Sequence, residues 1–375
     1  MQSFNFELKT KMVFGSGSAL NLWEHIKSLD VDDVIFVVDK NVFYTDYFNK
    51  IFESVEDLSF NVSSVLYECP GEPTYDYLDR LYHENHTVFG HHDIIVAVGG
   101  GSVIDTAKGL AVLSTNLGPA IQYRGFPEKI NKPIPVVAIP TTAGTGSEVT
   151  FNAVFIDTKE KKKLGINSKM NYPVLALLDP NLIITCPQKV MLSSALDALV
   201  HSVESYGATK SNELTRLFSR RALLHLRYSL PDLRNFDKLQ DENKLRVASD
   251  LQLGAYYAGI ALMNSGSGPA GAMSYVLGAN FNVPHGLAGG VFLPHIIAFN
   301  EYRGFRYTDF SDEEINFISL FSKIDFDFNY LRQFGINESN IVVLLNGIET
   351  LQPAFDQNTI PFKVDDAKRI IRSML

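Results

Sequence analysis

The chain has 375 residues, is 46% hydrophobic and 20% charged, and carries a formal net charge of -9. That length exceeds one ordinary core and predicts two domains, and the acidic balance argues against the basic surface that nucleic-acid binding needs. Cys69 and Cys186, the only cysteines, cannot build a disulfide framework, so a reducing compartment is expected. The start Met1-Gln2-Ser3-Phe4-Asn5-Phe6-Glu7 has no basic stretch leading into an apolar one, unlike a secretory signal. No apolar run approaches the ~20 residues of a spanning helix. A cytoplasmic protein is the expectation.

In chain order, Val34 to Asp39 reads as a buried parallel strand, with helical text to about Ser54. Val62 to Tyr67 is a second strand, followed by a helix from Thr74 to about Asn85. Ile94 to Val98 is a third, followed by Gly99-Gly100-Gly101-Ser102 and a helix to about Leu113, and Val136 to Ile139 is a fourth. Strands alternating with helices predict a parallel sheet with helices on both faces. From about Pro187 strand signals become scarce; Ala222–Leu226, Ala248–Leu253 and the tail from Val364 to Leu375 are helical in type. The expected domains are therefore 1–186, α/β, and 187–375, helical, with the boundary near 184–188. Lys159-Glu160-Lys161-Lys162-Lys163 reads as a solvated hairpin tip.

Several segments carry chemistry. Asp39 closes the first strand, where an acid can accept the ribose hydroxyls of NAD and repel the extra phosphate of NADP, or simply cap a helix. Gly99–Ser102 joins a strand to a helix, where glycines let a phosphate approach the backbone and the helix N-terminus offers N–H groups. It lacks the G-x-G-x-x-G spacing. Pro140 to Val149 follows a strand and contains Thr141, Thr142, Thr145 and Ser147, hydroxyls suited to phosphate or ribose. Asp197 and His201, four apart in a helical run, share one face; they form either half of a divalent-metal site or a buried Asp–His pair. His285, in Pro284-His285-Gly286, is a further candidate ligand. His295 reads as structural, and His91 and His92 as surface residues.

These motifs together reach a family. Gly99–Ser102 with Asp105 and Lys108, Pro140–Glu148, Asp179-Pro180, Asp197–His201 with Glu204-Ser205, and Pro284-His285-Gly286 occur in order, and the chain resembles the iron-containing (group III) alcohol dehydrogenases. The resemblance covers roughly residues 8 to 300. It implies an N-terminal Rossmann-like α/β domain plus an all-α C-terminal domain, the dehydroquinate synthase-like architecture. It also implies a cleft holding NAD or NADP and a divalent metal, Fe2+ or Zn2+. Asp39, Gly99, Gly100, Gly101, Ser102, Asp105, Thr141, Thr142, Thr145, Asn152 and Lys163 are the expected cofactor residues. Asp197, His201 and His285 match metal ligands, and with Tyr275, which joins proton transfer or lines the pocket, they form the expected catalytic set.

The chain departs from the family pattern, a helix reading His-x-x-x-His, where Gly271 and Tyr275 replace the two histidines after the unusually glycine-rich Ser265-Gly266-Ser267-Gly268-Pro269. A further histidine ligand should stand fourteen residues before His285, where the text is Gly271-Ala272-Met273-Ser274-Tyr275. Either three ligands hold the metal with an open position, or the metal is weak and the space near Gly271 takes a larger substrate or water. The expected activity is hydride transfer between nicotinamide and a metal-bound alcohol or aldehyde, extending to a sugar-acid or phosphonate-type substrate. The alternatives are a dehydroquinate synthase-like lyase or cyclase, and a non-catalytic nucleotide-binding relative with a decayed metal site. Expected partners are the small-molecule substrate and a second copy in a homodimer, with neither nucleic acid nor membrane.

Overall fold

The structure, a computed structural model, describes residues 3–53, 60–69, 71–89, 93–160, 162–324 and 331–375. His91, His92 and Lys161 lie outside them. The chain divides into two compact units: one comprises 8–142 and 147–186, the other 1–7, 143–146 and 187–375.

The first unit is built on a six-stranded parallel sheet. Its strands are β1 (Lys11–Phe14), β2 (Asp33–Asp39), β3 (Asn61–Tyr67), β4 (Ile94–Gly99), β5 (Val136–Pro140) and β8 (Leu175–Leu178), in the order β1-β8-β5-β4-β2-β3. The run Val34-Ile35-Phe36-Val37-Val38 is continuously apolar because both faces are covered. Ile35 and Val37 pack on one side with Ile104, Ala107 and Leu110 of the Gly101–Thr115 helix. Val34, Phe36 and Val38 pack on the other with Leu22, Trp23, Phe48 and Ile51. β6 (Asn152–Asp157) and β7 (Lys162–Asn167) form a separate antiparallel hairpin. The charge run sits at its tip, although Lys162 and Lys163 already belong to β7.

The second unit is helical. Its main helices are Gln188–Tyr206, Glu213–Ser229, Asp241–Ser265, Pro269–Phe281 and His285–Tyr302, with Val364–Ser373 near the end of the chain. Local chemistry sets their limits. Asn212 accepts from the backbone of Leu214 and Thr215 and starts one helix in a capping box. Gly266, at φ 94°, stops the long Asp241–Ser265 helix, and Asn282, at φ 54°, ends Pro269–Phe281. The glycine-rich Ser265–Pro269 stretch is thus a break between helices. Among the described residues no helix is long and apolar enough to cross a membrane.

Candidate active site

In the α/β unit the polypeptide leaves β2 toward β3 on one side of the sheet and β4 toward β5 on the other. Neighbours β2 and β4 therefore flank the topological switch point, where open α/β sheets bind ligands at the carboxyl ends of the strands. Those ends are Asp39 and Gly99.

Gly100 is the N-cap of the Gly101–Thr115 helix and offers no side-chain cap, so the first amides are open to an anion. None of Gly99, Gly100 and Gly101 has a positive φ. Close approach, not unusual backbone, demands the first two. A Cβ at Gly99 would overlap the Val103 side chain, and one at Gly100 would lie 3.1 Å from Thr142 Oγ1. Thr141 donates its N–H to Gly99 O at 3.0 Å, which draws the hydroxyl-rich segment onto the turn. Asp39 acts as a helix N-cap: Oδ1 accepts from the Asn41 backbone N–H at 2.8 Å and from Asn41 Nδ2 at 3.1 Å.

One helical turn further along, a buried ionic cluster underpins this surface. Lys108, fully buried, donates from Nζ to Ser147 O (2.6 Å), Ser147 Oγ (2.8 Å) and Asn152 O (2.9 Å). The Ser147 hydroxyl donates to Asp105 Oδ1 at 2.5 Å, and Asp105 Oδ2 accepts from Val154 N–H at 3.0 Å. Asp105, expected among the cofactor residues, thus has both carboxylate oxygens engaged by the protein itself. Burial pushes the Lys108 ammonium down to about 8 and the nearby Glu148 carboxyl up to about 7. Asn152 opens β6 opposite Asn167, and Lys163 is paired with Glu72 at 2.6 Å. Thr145 lies in 143–146, the short stretch grouped with the helical unit.

In the helical unit, Asp197 and His201 lie one turn apart on the Gln188–Tyr206 helix. His285 is the first residue of its helix, with Pro284 as N-cap. Gly286 is required there, because a Cβ would overlap the Ser193 carbonyl oxygen. The packing that glycine permits brings His285 Nε2 to 3.6 Å from Asp197 Oδ1, while His201 Nε2 stands 3.5 Å from the same oxygen. One ligand atom from each residue lies within 4.8 Å of the others, and Asp197 and His201 are buried. Metal–ligand distances of ~2.0–2.2 Å put the corners of a tetrahedron about 3.3–3.6 Å apart. The three side chains therefore fit a divalent ion, through one hard oxygen and two imidazole nitrogens. Tyr275 stacks on the His285 ring at 4.6 Å and 18°. Ser274 Oγ lies 2.9 Å from His285 Nδ1 and 3.5 Å from its Nε2.

Gly271 lies close against Ser267 and Glu204. A Cβ there would come within 2.6 Å of Ser267 Oγ and 3.0 Å of Glu204 Oε2. Glu204 reaches this point from the Gln188–Tyr206 helix, so protein atoms line the Gly271 backbone on that side. The sequence reading missed the roles of Glu204, Ser274 and the Lys108 cluster. Glu204 follows Asp197 by seven and His201 by three residues, so helical spacing alone put it on the ligand-bearing face.

The matches to known proteins identify an alcohol/aldehyde oxidoreductase. The family model for iron-containing alcohol dehydrogenase matches residues 9–180, and that for the C-terminal part of the Fe-containing alcohol dehydrogenase family matches 191–315. The NAD-dependent methanol dehydrogenase of Bacillus methanolicus is 30% identical over 300 residues, covering 79% of this chain and 76% of that protein. An alcohol dehydrogenase of Thermococcus barophilus is 32% identical over 322 residues, covering 82% and 80%. The crystal structure of a 1,3-propanediol oxidoreductase superposes with a TM-score of 0.86 at 26% identity, covering 100% of both chains. The chain belongs to the iron-containing alcohol dehydrogenase family.

Proposed function

We propose that this oxidoreductase moves a hydride between NAD and a small alcohol or aldehyde, with iron or zinc held by Asp197, His201 and His285. The convergence of one carboxylate oxygen and two imidazole nitrogens within 4.8 Å carries this reading. A divalent metal bound there supplies Lewis acidity toward the substrate oxygen. The chain supplies the rest. Ser274 and Tyr275 hold the His285 ring from two sides. The amides after Gly100 receive the cofactor pyrophosphate, and Thr141 and Thr142 flank it. Asp39 has Oδ2 available beyond its Oδ1 cap bonds to accept ribose hydroxyls, and its charge disfavours the 2′-phosphate of NADP. Asn152, Lys163 and Thr145 complete the proposed cofactor contacts, with Asp105 acting from beneath through Ser147. On this reading residues 1–186 serve the dinucleotide and 187–375 the metal and substrate.

A sugar-acid or phosphonate-type aldehyde is the extended substrate class to be tried beside simple alcohols. The test follows NADH and NADPH oxidation over a panel of aldehydes, with metal content measured by mass spectrometry in the same preparation. NADH-dependent reduction that scales with metal content is expected. Full activity in metal-free protein overturns the reading.

A further inference from the structure

Glu204 is buried, yet its carboxylate collects four donors. Oε1 accepts from Ala270 N–H at 2.5 Å, and Oε2 accepts from Gly268 N–H at 2.9 Å, Gly271 N–H at 3.1 Å and the Ser267 hydroxyl at 3.1 Å. These amides open the Pro269–Phe281 helix, whose N-cap, Gly268, has no side chain to satisfy them, and Pro269 has no N–H to offer. A carboxylate at this end is also favoured by the helix dipole. Glu204 therefore acts as a cap supplied from another helix.

That other helix is the one that carries Asp197 and His201. The helix Glu204 caps is the one that presents Ser274 and Tyr275 to the His285 ring. We infer that Glu204 is a positioning residue for the metal-binding side chains of the helical unit, holding the start of the Pro269–Phe281 helix against the Gln188–Tyr206 helix. The inference rests on the three-ligand reading proposed above. Any side chain at 271 would push on Ser267 Oγ, 2.6 Å from the ideal Cβ, and on Glu204 Oε2, 3.0 Å away.

The experiment titrates Zn2+ into the metal-stripped full chain by calorimetry, with the visible absorption of Co2+ as a second reporter of coordination. NADH affinity is measured alongside. Wild type binds one Zn2+. Glu204→Gln weakens zinc about tenfold or more, the scale seen when groups orienting metal ligands are lost, and leaves NADH affinity within about twofold. Gly271→Ala weakens zinc similarly, and adding Ser267→Ala recovers part of the loss by removing the nearer obstacle. That rescue keeps the inference testable if Glu204→Gln fails to fold. Zinc binding as tight as wild type in folded Glu204→Gln overturns it. A wild type that binds NADH but no zinc overturns the metal reading itself, and this inference with it.

Discussion

The two units build their candidate binding features in different ways. The α/β unit works with backbone: strand ends, an uncapped helix start and short loops, each contiguous in sequence. The helical unit works with side chains, and its triad joins residues 197 and 201 to residue 285 across three intervening helices. The first leaves little room for added bulk at Gly99 or Gly100. The second depends on three particular atoms and on the packing that brings them together.

The largest expected effect breaks the helical half alone. His285→Ala removes one of three ligands, so zinc content by mass spectrometry should fall to background and kcat by at least about a hundredfold. NADH binding by calorimetry should persist. Loss of both together would erase the distinction between the halves.

Gly100→Val makes the converse break. A branched side chain meets Thr142 and covers the amides, so NADH affinity should drop by about tenfold or more while zinc binding is retained. Unchanged NADH affinity in a folded variant would remove the phosphate role from this turn.

Asp39→Gly sharpens the α/β half. It removes the charge that opposes a 2′-phosphate, and the NADPH-to-NADH preference in kcat/KM should rise about tenfold, roughly 1.4 kcal/mol. A wild type that already prefers NADPH contradicts the assignment.

The smallest effect is on stability against pH. Burial raises Glu148 from 4.5 to about 7, so its stabilising contribution is full below 4.5 and is lost as pH rises through 7. Burial lowers Lys108 from 10.5 to about 8, so its contribution is present above 10.5 and is lost as pH falls through 8. Both place the least stable range of the α/β unit between about 7 and 8. Thermal melts from pH 4.5 to 10.5 should show that trough, and Glu148→Gln should flatten its acidic side. A melting temperature that climbs from pH 4.5 to 7 in wild type would contradict the sign.

Sequence alone determined whatever depends on local pattern. The apolar run ending in Asp39 marked a strand buried on both faces, the three glycines after Val98 marked the strand-to-helix turn, and the four-residue spacing of Asp197 and His201 put them on one helical face. β1 and β8 were not legible, because four residues at or beside a sheet edge leave little periodicity. Of the β6–β7 hairpin only the charged tip was legible; β6 alternates strictly between half-buried and buried residues but is short, and β7 begins with two lysines. Tertiary structure alone decided which distant groups share a space. It set His285 against Asp197 through a close approach at Gly286, gave both oxygens of Asp105 to internal donors, and brought Glu204 to the backbone of Gly271. A missing histidine can be read from one letter. The carboxylate that accepts from the Gly271 N–H comes from a helix more than sixty residues earlier, and no local pattern records a contact made only when helices pack.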